Sequence, residues 1–130
     1  MRPRLLTSLA VLYAAFGLLF AGWTLVSMVA QDLVGALPLP AAGMLAAAAV
    51  NAAMALGIWR GSPATRPAGI VLHAAVTVVA VAAFVAHASA GTVDGARVVE
   101  TAAKAAVHLT LTVFWLQSAA VRTWFRRAEN

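Results

Sequence analysis

The chain has 130 residues, of which 63% are apolar and only 10% charged, with a mean hydropathy of +0.91. A soluble domain carries about 25% charged residues, so this composition excludes an ordinary water-soluble domain and a disordered one alike. The net charge of +5 would suggest nucleic acid in a soluble protein. Here the basic residues sit at or near the ends of apolar runs, which points to membrane topology and anionic headgroups, not nucleic acid.

The first apolar run, about 5–30, contains only Ser, Thr and Gly besides apolar residues. A helix needs about 20 such residues to cross the hydrocarbon core. A signal peptide is the rival reading, because Arg2 and Arg4 resemble a basic n-region. An h-region has roughly 7–15 residues, however, so a retained span is expected. Asp32, Gly35, Pro38 and Pro40 then stop one helix and start another. The second run, 41–59, is alanine-rich, with Asn51 near its middle as an expected packing hydrogen-bonder. In it Gly43, Ala46, Ala47, Ala53 and Gly57 form a small-residue stripe, and Gly17 and Ala21 are four apart in the first run. Gly61, Pro63 and Pro67 make the next turn. The third run, 68–87, is rich in Val and Ala; a lipid-exposed backbone must bond internally, so helix is expected despite the β-branched residues. Gly91, Asp94 and Gly95 mark the third connection. The last run, 97–121, is strongly apolar only from Ala105, and a basic tail, 122–130, follows.

The expectation is therefore an all-α membrane protein, one domain over 1–130. Its four transmembrane helices would form an up-down-up-down antiparallel bundle, because short connections make sequential helices antiparallel neighbours. Arg2, Arg4, Arg60, Arg66, Arg122, Arg126 and Arg127 fall on one side of such a bundle, and Arg97 alone on the other. By the positive-inside rule both termini are cytoplasmic. Trp59 and Trp124 then sit at the cytoplasmic interface, where amphipathic rings prefer to lie. Eight arginines against one lysine, with abundant alanine, fit a GC-rich bacterial genome and hence the inner membrane.

The chain opens Arg2-Pro3 and continues Leu12-Tyr13. The second run closes Gly57-Ile58-Trp59-Arg60, and the chain ends Val121-Arg122, Trp124-Phe125. In these landmarks it resembles a broad family of short, uncharacterised four-helix membrane proteins of bacteria and archaea. That family shows a Trp-Ala-Arg before its third helix, where this chain has Ala64-Thr65-Arg66. The resemblance implies the four-helix architecture and no activity, and it transfers no functional residue.

Cysteine is absent, so there is no thiolate metal site and no cysteine nucleophile. No glycine-rich phosphate loop, His-Glu-x-x-His or Ser/His/Asp set stands out, and no catalytic residue is assigned. Chemistry concentrates in the last run. Arg97, Glu100 or Thr101, Lys104, His108, Thr112 and Trp115 recur at three- and four-residue steps and share one face. Glu100 and Lys104 can pair at i,i+4. This face, with Trp59 and Trp124, is the expected contact for a lipid or a partner subunit. Antiparallel packing sets His73 opposite Leu111 or Thr112, about a turn from His108. A bis-histidine haem between His73 and His108 is the cofactor alternative; otherwise no cofactor and no metal are expected.

These readings make the chain a non-catalytic accessory or scaffold subunit of a larger bacterial membrane complex, respiratory or photosynthetic, contacting lipids, other integral subunits or pigments. The first alternative is a small transporter or lipid-binding protein using the polar face of the fourth helix. The second is a haem-binding electron-transfer subunit.

Overall fold

A computed structural model describes residues 3–30, 39–92 and 94–126, with the side chains of residues 39 and 40 excepted. The described residues form five helices and no strand: α1 (Arg4–Ala30), α2 (Leu39–Arg60), α3 (Thr65–Ser89), α4 (Gly95–Gln117) and α5 (Ala119–Arg126). The chain divides into two compact units, 1–62 and 63–130.

Three helices, rather than the expected four, are long and apolar enough to cross a membrane: Arg4–Ala30, Ala41–Arg60 and Thr65–Ser89. The chain is an all-helical protein with the material of an integral membrane protein. α4 has the length, 23 residues or about 34 Å at 1.5 Å per residue. Arg97, Glu100, Lys104 and His108 make it more polar than the other three.

The first unit is the α1–α2 pair. A Cβ at Gly17 would lie 3.2 Å from the Ala48 carbonyl oxygen and 3.5 Å from both Ala52 N and Asn51 Cβ. The two backbones approach here because small residues meet, which is how helices associate where lipid is as apolar as leucine. The contact uses Ala48, Asn51 and Ala52, not the expected Gly43–Gly57 stripe; nothing lies within 4 Å of a Cβ at Gly43. Asn51 hydrogen-bonds within its own helix, donating from Nδ2 to the Ala47 carbonyl at 2.8 Å. Beside the contact runs an open apolar groove of about 660 Å3, walled by residues such as Ala14, Ala21, Ala49, Ala52 and Trp59.

The second unit is built on α3 and α4. Gly69 meets Trp115, His73 meets His108, and Arg66 reaches the carbonyls of Trp115 and Leu116, so the two helices are antiparallel. Asp94 caps α4, accepting from the Arg97 backbone N–H at 2.8 Å. The expected helix over 97–121 breaks at Ser118, whose φ/ψ of −62°/118° is extended. Ser118 then starts α5, its Oγ accepting from the Val121 N–H at 3.4 Å. The break exposes the last carbonyls of α4, and arginines take them. Arg66 donates from Nε to Trp115 O (3.3 Å) and from Nη2 to Leu116 O (3.2 Å). Arg122 donates from Nη2 to Gln117 O at 3.1 Å. Orphan carbonyls at a helix C-terminus, the negative end of its dipole, favour such cationic caps. α5 buries Val121 and Phe125, and Phe125 stacks on Trp115 at 5.9 Å between ring centroids.

Candidate functional site

The polar face of α4 turns toward α3. Between the two helices lies a cleft of about 450 Å3 with two unlike walls. Val76, Val79, Ala80, Ala83 and Phe84 of α3 make one wall apolar. Arg97, Glu100, Thr101, Lys104 and His108 of α4 make the other polar. Glu100 and Lys104 form an ion pair one turn apart, as their spacing predicts. The pair neutralises itself and leaves Arg97 as the net charge of that wall.

At the end where α3 closes and α4 opens, His87 joins the cleft. Its Nε2 stands 3.3 Å from Arg97 Nη1, and its Nδ1 stands 3.2 Å from Thr92 Oγ1. A guanidinium can only donate. Nε2 is therefore the acceptor, and the ring proton sits on Nδ1, facing Thr92. The Thr92 hydroxyl in turn donates to the His87 carbonyl at 3.1 Å. The turn of α3 into α4 thus makes His87 a support for the Arg97 side chain at this end of the cleft.

His108, at one end of the cleft, pairs with the buried His73 behind it. His73 Nδ1 and His108 Nδ1 are 2.8 Å apart, and the ring centroids 5.1 Å. With nitrogens that close, two five-membered rings reach that centroid separation only when each nitrogen points straight at the other. This is a linear N–H···N hydrogen bond, with one ring donating and the other accepting. His73 is buried and His108 half-buried. Thr77 and Thr112 send their hydroxyls back to the carbonyls of His73 and His108, at 2.9 Å each. Those hydroxyls need no partner from lipid.

This geometry tests the haem alternative. Two imidazole nitrogens on opposite sides of an iron stand about 4 Å apart at metal–nitrogen lengths near 2 Å. The observed 2.8 Å is a direct bond between the rings. His73 and His108 in this arrangement do not fit a haem between them.

Of the other residues singled out in the sequence, Trp115 is fully buried, against Gly69 and Phe125. It closes the far end of the α3–α4 contact and does not line the cleft. Its Nε1 is a buried donor without a partner among the described residues. Trp59 is exposed and borders the α1–α2 groove, and Trp124 is half-exposed. Sequence reasoning missed Arg66 and Gly69. Arg66 was read only as a topology marker in a turn, although an arginine at the start of one antiparallel helix is within reach of the neighbour's last carbonyls. Gly69 carried no signal, since its role comes wholly from the indole across the interface.

Fold and site together define an all-helical protein with membrane-length apolar helices and an amphipathic α3–α4 cleft bordered by His108 of a histidine pair. No family model, no curated protein and no solved structure matches the chain.

Proposed function

We propose that this is a small, non-catalytic integral membrane protein that receives an acidic amphiphile in the α3–α4 cleft, as a lipid-binding or transport protein. The carrying observation is the pairing of unlike walls: apolar residues of α3 face a polar wall of α4 whose net charge is carried by Arg97. Such a cleft suits a ligand with an anionic head and an apolar chain. In this reading α4 is a fourth span, making an up-down-up-down bundle with both termini cytoplasmic in a bacterial inner membrane. Two observations support that. The charges of α4 lie in its first ten residues, where they can snorkel at small cost. A fourth crossing also puts Arg122 and Arg126 on the same side as Arg60 and Arg66. The test is the binding of cis-parinaric acid to the detergent-purified protein, read by energy transfer from tryptophan. Arg97→Gln is expected to weaken binding about fivefold, and His108→Gln to weaken it as well. Unchanged affinity in both variants would discard the cleft as the site.

A second reading, an accessory subunit of a larger respiratory or photosynthetic assembly, is supported by the alanine-walled groove of the first unit. Small residues there leave room for another helix at backbone distance. Purification from native membranes in mild detergent tests it: stoichiometric larger subunits would support this reading, and a protein that purifies alone would remove it.

A further inference from the structure

The other end of the α3–α4 pair carries a second, chemically different site. Three arginines, Arg66, Arg122 and Arg126, stand around a pocket of about 370 Å3 with Ile70 and Phe125 as its apolar floor. Each guanidinium is pinned by a backbone oxygen. Arg66 is held by the carbonyls of Trp115 and Leu116, Arg122 by that of Gln117, and Arg126 by that of Arg122 through Nε at 3.3 Å. These oxygens orient the side chains but do not neutralise them. The described acidic residues of this unit, Asp94 and Glu100, both belong to the opposite end of α4, where one caps the helix and the other pairs with Lys104. A guanidinium has five N–H donors in a rigid fork, so each still has donors to give.

Three positive charges held by backbone oxygens and an apolar floor beside membrane-length helices match one chemistry, a phosphate carrying a hydrophobic tail.

We infer that Arg66, Arg122 and Arg126 form a binding site for a phosphate group, supplied by the headgroup of an anionic phospholipid. The arginine fork favours phosphate because it meets two oxygens at once. Its pinned geometry removes much of the ordering cost of binding. Basic pockets between membrane helices hold anionic headgroups by this physics. The site is separate from the α3–α4 cleft, and the inference does not rest on the reading of that cleft.

The test uses the full chain, delipidated in detergent, with native mass spectrometry of lipid added back. The probes are dioleoylphosphatidylglycerol, dioleoylphosphatidylcholine and inorganic phosphate as competitor. The wild type is expected to hold phosphatidylglycerol in preference to phosphatidylcholine. The double variant R122Q/R126Q is expected to lose about thirtyfold in affinity. It keeps Arg66, so the main cap on the end of α4 survives. A control variant, R4Q/R60Q, removes two charges from the other unit and is expected to bind as the wild type does. Displacement by inorganic phosphate would assign the site to free phosphate as well as lipid; resistance would assign it to the lipid alone. Equal retention of phosphatidylcholine, unchanged binding in R122Q/R126Q, or an equal loss in R4Q/R60Q would each overturn the inference.

Discussion

The histidine pair binds two helices through a single proton. With 2.8 Å between the two Nδ1 atoms, one ring must donate and the other accept. Changing either residue to leucine strands a buried polar nitrogen, a loss of about 1–3 kcal/mol. Changing both removes the problem together with the bond. The double variant H73L/H108L is therefore expected to be less destabilised than the sum of the singles. The coupling should be of the size found for membrane hydrogen bonds, about 0.6 kcal/mol and at most roughly 1.7. A double-mutant cycle by unfolding in mixed detergent micelles measures it, and strict additivity would show that the bond carries no coupling. Trp115 is the opposite case. Its ring is fully buried, but Nε1 has no acceptor among the described residues. Trp115→Phe keeps an aromatic ring there and deletes the orphan donor. It is expected to cost less than about 1 kcal/mol, or to stabilise. In the same unfolding assay, a loss of several kcal/mol would mean that the indole nitrogen has a partner after all.

At the scale of the helix, the α3–α4 contact depends on Gly69. A Cβ there would stand 2.6 Å from Cε2 and 2.8 Å from Cδ2 of Trp115. The indole is fully buried with Phe125 stacked beside it, which leaves it little room to retreat. Gly69→Ala is expected to push the helices apart at that level and cost about 1–3 kcal/mol, the usual range for overpacking. The tryptophan emission should move to the red, and Gly69→Ala combined with Trp115→Ala should recover part of the loss. How much of this was legible follows the range of the physics involved. Helices α1, α2 and α3 could be read from run length and turn residues, to within a few positions. The face shared by Arg97, Glu100, Lys104 and His108 could also be read, since helical spacing is local. Ser118 could not, because an apolar run hides a break of one residue; its only signal was a serine standing where an N-cap would. The histidine contact was placed a turn off. Gly69 meets Trp115 in the register that the connection length gives, and the two imidazoles reach diagonally across that register to meet. The arginine caps and the Gly69 seat lie wholly in tertiary contacts and leave no periodic trace.

For the whole molecule, a crossing α4 predicts which face of the membrane each connection meets. The sequence contains no cysteine, so any introduced thiol is unique. Ser62→Cys, Thr92→Cys and Thr123→Cys mark the three positions that matter. If α4 crosses, a membrane-impermeant maleimide labels residues 62 and 123 from the same face and residue 92 from the opposite one. Labelling of 92 and 123 from one face would leave three spans and part Arg122 and Arg126 from Arg66, so that the arginine pocket could not form. The division into two units has a further consequence, for how the protein is made. Each unit is closed by contacts between consecutive helices, α1 with α2 and α3 with α4. A ribosome delivering this polypeptide releases α1 and α2 as a finished pair before α3 has emerged, and the nascent chain can enter the bilayer in two instalments. The boundary between Ser62 and Pro63 is then also the place where the gene could be cut, its two halves co-expressed as separate inserts that each fold.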